Sequence, residues 1–250
     1  MHKKALIAVN ITREQPGSIL EVLQERGWDT TIVNLDQGKA FPSPKDFDAL
    51  IVMGGPPSAN DTAAQTPWMP DEIVKIQEVL ELGIPYYGVC LGFQTLVKAA
   101  GGTITKSPRK EVGFRDSYTE PLGKFYSIQL TEGGKNDQIF KGLPDTLQLF
   151  HLHGETVELL PSMNPKVTLL ATADVVPNQF IRVGKNAYAS QGHFQVTAEL
   201  LQEWLKVDPD LLALGEKGGK QVWKDFLEIQ ENYMKTARQL YHNFLDIAEL

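Results

Sequence analysis

The sequence predicts an α/β fold: a mostly parallel central sheet flanked by helices, with a C-terminal helical tail. Three observations predict it. Short, continuous apolar runs recur, such as "ALIAVN" (5–10) and "IPYYGVC" (84–90), the pattern of strands buried on both faces. Segments with helical apolar spacing separate them, and strand–helix alternation at these lengths implies βαβ units. The last stretch, from Thr197 on, carries helical spacing almost throughout.

The elements follow in order. "SILEVLQERG" (18–27) is a helix closed by glycine, and "DTTIVNL" (29–35) is a β-branched strand. "DALIVMGGP" (48–56) is a buried strand ending in a glycine turn. "PDEIVKIQEVLELG" (70–83) opens on Pro and two acids and closes on Gly, the signals of a helix start and stop. After the strand at 84–90, "LGFQTLVKAAGG" reads as a helix. Strand-like runs then dominate: 126–131, 147–153, 167–173, 178–184 and 187–194. Residues 1–205 are expected to form one domain and 206–250 a helical extension, with 208–220 as the linker between them.

Composition narrows the function. The chain has 250 residues and a net charge of −7, with 42% hydrophobic and 22% charged residues. This is ordinary globular composition. The acidic balance argues against a general nucleic-acid or membrane-surface binder, although "SPRKEVGFR" (107–115) is a local basic patch. The single cysteine, Cys90, excludes an internal disulfide. "MHKKALIAVN" is too short in apolar residues for a signal peptide, and no window suits a membrane span. The expected location is the cytoplasm, and no cofactor or metal is expected. The apolar stripe of the last helix, from Phe226 to Leu245, reads either as packing onto the domain or as a homodimer contact.

Three separated stretches carry chemistry. In "GVCLG", Cys90 stands between a strand and a helix, with Gly88 and Gly92 two residues to either side. A nucleophile at such a turn sits in a strained bend, and the small neighbours relieve crowding. The amides at the start of the following helix favour thiolate, and that of Leu91 faces an incipient oxyanion. On this pattern alone, Cys90 reads equally well as a small buried hydrophobe. "MGGPPSAN" (53–60) lies at the carboxyl end of a strand, where α/β sheets place ligands, yet any turn could read this way. "ASQGHFQVTAELLQEWL" (189–205) puts His193 at the end of another strand. A Cys–His pair brought together by folding is what thiol catalysis requires, with approach to about 3–4 Å. A lone histidine is more often an ordinary satisfied side chain.

Together, "GGPPS", "GVCLGFQ" and "GHFQVTAE" resemble the class I glutamine amidotransferases in order and spacing, over about residues 5–205. "FHLHGETVELLP" (150–161) and "RKEVGF" (109–114) are similar to stretches of the free-standing, GMP-synthase-like members. The resemblance implies the flavodoxin-like fold of that family. It implies Cys90 as nucleophile, His193 as general base, and the amides of Gly55 and Leu91 as the oxyanion hole. It also implies that Gln94 and the backbone at Leu152 and His153 bind a small γ-glutamyl substrate.

The family usually completes its triad with Glu two residues after the histidine, where this chain has Gln195. A carboxamide oxygen can orient an imidazole, as in Cys-His-Asn proteases, but it brings no charge. Glu199, four residues beyond Gln195, is a neighbouring acid that could substitute. Phe93 and Pro57 replace a histidine and a glycine common in the family. Three readings follow: a hydrolase of γ-glutamyl amides through a thioester on Cys90, a glutaminase subunit feeding ammonia to a separate synthetase chain, or a catalytically impaired interaction protein on the same fold.

Overall fold

A computed structural model describes residues 2–116, 123–163 and 166–250. The first half alternates as the sequence predicts: β1 (Lys4–Val9), α1 (Ser18–Glu25), β2 (Asp29–Asn34), β3 (Ala49–Val52), α2 (Met69–Leu82), β4 (Tyr86–Val89) and α3 (Leu91–Ala99). Then come β5 (Thr103–Gly113), β6 (Ser127–Leu130), the short α4 (Glu132–Lys135), β7 (Thr146–Gln148) and β8 (His151–Glu158). The chain continues through β9 (Val167–Thr172), β10 (Phe180–Val183), β11 (Ala187–Ser190), α5 (Ala198–Val207), α6 (Pro209–Leu212) and α7 (Gly215–Ala248).

Nine strands form one sheet in the order β2-β1-β3-β4-β11-β10-β9-β6-β7. The run from β2 to β11 is parallel throughout. The remaining strands extend it as antiparallel neighbours. β1 shows why the strands read as unbroken apolar runs. Its Ala5, Ile7 and Val9 join a core on one face with α1 and α7, and Leu6 and Ala8 join the other with α2 and α3. A strand covered on both sides has no face left for polar residues.

This order positions the site. β3, β4 and β11 are adjacent, although β11 lies about 100 residues beyond β4 in the chain. Their carboxyl ends therefore lie side by side.

Three readings of the sequence change. The run 147–153 is not one strand: it divides between β7 in the main sheet and β8, which pairs with β5 in a separate antiparallel ribbon. The basic segment 107–115 belongs largely to β5, which the sequence reading left unassigned. Only Ile104, Glu111, Val112 and Gly113 are buried there, too few to give a strand signal. The expected linker at 208–220 is also mostly helical. Asp208 caps α6 through its carboxylate, and α7 starts at Gly215.

The stripe of α7 packs within the chain. Ala237, Leu240, Tyr241, Phe244 and Leu245 enter the core beside α1, and Phe226, Ile229 and Tyr233 join a cluster with Phe114, Phe150 and Trp204. Asn243 donates to the carbonyls of Ile139 and Lys141, both at 2.9 Å. Among the described residues, no helix is long and apolar enough to cross a membrane.

Candidate active site

Cys90 occupies the turn between β4 and α3 with φ 53° and ψ −100°. Among the described residues it is the non-glycine residue with positive φ. Such a conformation costs about 1–3 kcal/mol and persists only where the surroundings enforce it. Here they do. A Cβ on Gly88 would stand 2.4 Å from the Gly92 carbonyl oxygen, and one on Gly92 would stand 2.2 Å from that of Val52. The glycines flanking Cys90 therefore let helix α3 seat against the sheet. The Cys90 amide donates to Ser190 O at 2.9 Å, tying the turn to the end of β11.

The sulfur opens onto a cavity of about 350 Å³ lined by Gly55, Gln94, Leu152, His153 and Glu155, among others. Gly55 belongs to the loop after β3, Gln94 to the first turn of α3, and the last three to β8. Lys106 and Lys110 reach the cavity from β5, where the register shifts between Lys106 and Glu111. Lys110 pairs with Asp210 of α6. The Ser58 hydroxyl donates to Glu155 Oε1 at 3.1 Å, and Gln94 Nε2 donates to the Glu155 carbonyl at 3.3 Å, so both tie the ribbon to the main sheet.

His193 lies behind the cysteine and is fully buried. It forms a two-way backbone bridge with Phe150, and its ring meets that of Trp204 edge-on at 5.3 Å. Tyr233 of α7 donates to its carbonyl at 2.9 Å and accepts from the Val196 amide at 3.2 Å. The C-terminal helix thus holds the histidine loop from beneath.

The Gln195 carboxamide stands 3.0 Å from His193 Nδ1. With its nitrogen there, Gln195 Oε1 is left buried and without a hydrogen-bond partner among the described residues. The amide's two ends are nearly isosteric, and exchanging them makes Nδ1–H donate to Oε1. That orientation puts the ring's lone pair on Nε2, as a general base requires. Among the described residues, His193 Nε2 has no hydrogen-bond partner.

The thiol and the imidazole do not touch in the expected way. The thiol donates to Leu152 O at 3.7 Å and accepts from Gln191 Nε2 at 3.9 Å, and among the described residues no hydrogen bond joins it to His193. They do face one niche: a Cβ on Gly54 would lie 3.1 Å from His193 Cε1 and 3.3 Å from Cys90 Cβ. Catalytic contacts often close only with substrate bound.

The charge state also differs from the sequence expectation. Burial, and after it the negative charge of Glu14, push the thiol well above its usual range, outweighing the Leu91 amide that favours thiolate. Burial, and then the nearby His153, lower His193 to about 3. Desolvation disfavours both charged forms, so the resting pair is thiol and neutral imidazole. A nucleophilic role for Cys90 would require its proton to move as the sulfur attacks.

The other departures fall where packing dictates. Phe93 is buried in the core beneath α3, and Pro57 lines the cavity. Glu199 is exposed on α5 and lines a surface cleft with Thr12 and Glu203, so it is not the replacement acid. The acid beside the pair is Glu14, in the β1–α1 loop, which sequence reading passed over. A lone Glu in a polar loop gives no signal of burial.

Beside the cavity, Glu111, His151 and His153 are buried with one donor atom each within 4.8 Å of one another. His153 Nε2 lies 3.2 Å from both His151 Nδ1 and Glu111 Oε2. The set has the chemistry to hold a divalent cation, and it also stands as an internal His–Glu pair. Its effect on the site is to fix β8 to β5.

A family model, glutamine amidotransferase class-I, matches residues 15–205. The chain belongs to the class I glutamine amidotransferases. It is 27% identical over 237 residues to the glutamine amidotransferase-like protein YfeJ of Salmonella typhimurium, covering 93% of this chain and 92% of that one. It is 32% identical over 143 residues to the glutamine-hydrolysing GMP synthase of Thermosipho africanus, covering 57% of this chain but 23% of that protein. The chain superposes on a glutamine amidotransferase from Thermotoga maritima with TM-score 0.83 and 21% identity, over 98% of this chain and 99% of the other. For a glutamine amidotransferase from Methylobacillus flagellatus the TM-score is 0.83 at 24% identity, over 99% and 96%. These two establish the likeness of fold. The sequence's family resemblance and its flanked central sheet are both borne out.

Proposed function

We propose that this amidotransferase-family protein hydrolyses a γ-glutamyl amide, either glutamine or a γ-glutamyl peptide, through a γ-glutamyl thioester on Cys90. The observation that carries the reading is the strained Cys90 turn, opening onto a cavity with His193 and Gln195 behind it. Cys90 Sγ attacks the side-chain carbonyl carbon, and the thiol proton passes to His193 Nε2. The carbonyl π electrons move onto oxygen, toward the amides of Gly55 and Leu91. His193 then returns its proton to the leaving amine as the C–N bond breaks. Water, deprotonated by His193, attacks the thioester and releases glutamate and the thiol. Gln94 and the backbone at Leu152 and His153 hold the γ-glutamyl group, and Gln195 holds the base in its working tautomer.

A separate ammonia-receiving synthetase is the second reading, favoured by the glutamine-hydrolysing GMP synthases among the relatives. The test is ammonia and glutamate release across glutamine and γ-glutamyl peptides, for wild type and Cys90→Ser, with mass spectrometry after a glutamine-like diazo-ketone. Turnover lost in the variant, and label on Cys90, are expected. A wild type that turns over nothing in the panel and takes no label defeats the hydrolase reading. A weak rate that rises only with a synthetase chain favours the second.

A further inference from the structure

Glu14 is one of the buried titratable groups that the mechanism above leaves unused, and it stands beside the catalytic pair. Glu14 is 4% exposed, and its Oε2 has no hydrogen-bond partner among the described residues. That oxygen stands 2.3 Å from where a Cβ on Gly54 would be, and the same point is 3.1 Å from His193 Cε1 and 3.3 Å from Cys90 Cβ. The missing side chain of Gly54 thus leaves a niche which the carboxylate shares with the catalytic pair. Charge transfer to His193 creates an imidazolium whose Cε1–H edge looks into this niche, and Gln195 has no charge to set against it.

We propose that Glu14 is a positioning residue that supplies the counter-charge for the His193 imidazolium, while Gln195 supplies only the orientation of the ring. One acid ordinarily does both; here the two tasks fall to two residues from distant parts of the chain. The inference rests on the hydrolase reading for its chemistry, but its geometry is independent of any substrate. The carboxylate is the working form, and its proton leaves to solvent before substrate binds, so no proton passes through Glu14 during turnover.

The charges facing Glu14 set when that form exists. Burial pushes its carboxyl up to about 8; Arg13 beside it works downward and Asp208 upward. Arg13 itself pairs with Asp208 at 3.1 Å, so its charge is shared. Among the described residues, Cys90 and His193 share the niche with Glu14, Glu155 acts on Cys90 from across the cavity, and His153 acts on His193. Activity is therefore expected to rise with pH up to about 8 as Glu14 ionises.

The experiment combines Glu14→Gln and Gln195→Glu, singly and together, with a measurement that needs no turnover. In wild type carrying ¹³C at histidine Cε1, the His193 signal steps near the Glu14 titration, and the step vanishes in Glu14→Gln. On a γ-glutamyl substrate, Glu14→Gln lowers kcat about 10- to 100-fold, below the roughly 10⁴ seen when a triad's third member is spoiled. KM stays within about threefold, and the alkaline rise in rate flattens. With Gln195→Glu present, the same substitution costs less than about threefold, because an acid again stands at the ring. Equal costs in both backgrounds, or a His193 signal with no step in wild type, overturn the proposal. Should no variant turn over any γ-glutamyl compound, the hydrolase reading falls. The His193 signal and the pH dependence of Cys90 alkylation by chloroacetamide then still decide the role of Glu14. The wild-type titration alone decides it if Glu14→Gln does not fold.

Discussion

A Cβ on Gly92 would stand 2.2 Å from a backbone oxygen, whereas one on Gly154, across the cavity, would find nothing nearer than the Lys110 side chain at 3.8 Å. The two glycines mark two kinds of wall. The inner wall is the ends of β3, β4 and β11, pressed between helices on both faces. The outer wall is the β5–β8 ribbon, held by ion pairs and side-chain hydrogen bonds such as Lys110–Asp210 and Ser58–Glu155. Backbone crowding fixes Cys90, the proposed nucleophile, and adjustable polar contacts shape the cavity in front of it. Chemistry should be sensitive to the first and selectivity to the second.

The largest expected effect breaks the inner wall. Gly92→Ala should cost about 3 kcal/mol or more in chemical denaturation, since neither the helix nor the Val52 carbonyl can give way cheaply. Gly154→Ala should stay within about 0.5 kcal/mol. Equal effects would erase the distinction between the walls.

Next comes the chain behind Cys90. Gln195→Ala should lower turnover about 10- to 1,000-fold, within the limit set by loss of a triad's third member, and Gln195→Glu should match or exceed wild type. Steady-state kinetics with a γ-glutamyl substrate measure both.

The support from α7 is smaller. Tyr233→Phe removes the donor to His193 O and the acceptor for Val196 N. About 1–3 kcal/mol of stability is expected to go, and kcat with it, while KM holds. A thermal melt unchanged by this substitution would mean that α7 does not brace the histidine loop.

For the outer wall, Lys106→Ala should raise KM about tenfold for an anionic γ-glutamyl substrate and leave kcat within about threefold, the signature of binding lost equally in ground and transition states. A fall in kcat instead would move Lys106 to the inner wall's role.

Away from both walls, the effect to test is on stability against pH. Burial raises the Glu72 carboxyl to about 7. An acid with a raised folded pKa keeps its proton longer folded than unfolded. Its contribution is therefore full below the unfolded value and is lost as pH rises toward 7. Melting temperatures of Glu72→Gln should fall less than those of wild type from pH 5 to 8; parallel curves would contradict the burial of that carboxyl.

The inner wall was legible in the sequence and much of the outer wall was not. Continuous apolar runs need two covered faces, and Gly88 and Gly92 flanking Cys90 need a crowded bend, so local sequence carries both facts. β5 alternates between half-buried and exposed positions, but polar residues fill both and its register shifts between Lys106 and Glu111, so no apolar alternation announces a strand. The stretch from 208 to 220 looked like a linker because it holds Asp, Pro and several glycines, yet Asp208 caps α6 and α7 continues from Gly215.

By itself, the sequence determined the family, the flanked sheet and the identity of the residues at the strand ends. It also showed that residue 195 lacks a charge. Only tertiary structure decided who stands beside whom. Hydrogen bonding of β11 to β4 carries His193 to Cys90 across about 100 residues, and burial there reverses the expected thiolate into a thiol. The same packing brings Glu14 into the niche left by Gly54. Spacing along a chain encodes which face of its own element a residue occupies. Desolvation and long-range neighbours depend on every element packed around that point, and no local pattern encodes them.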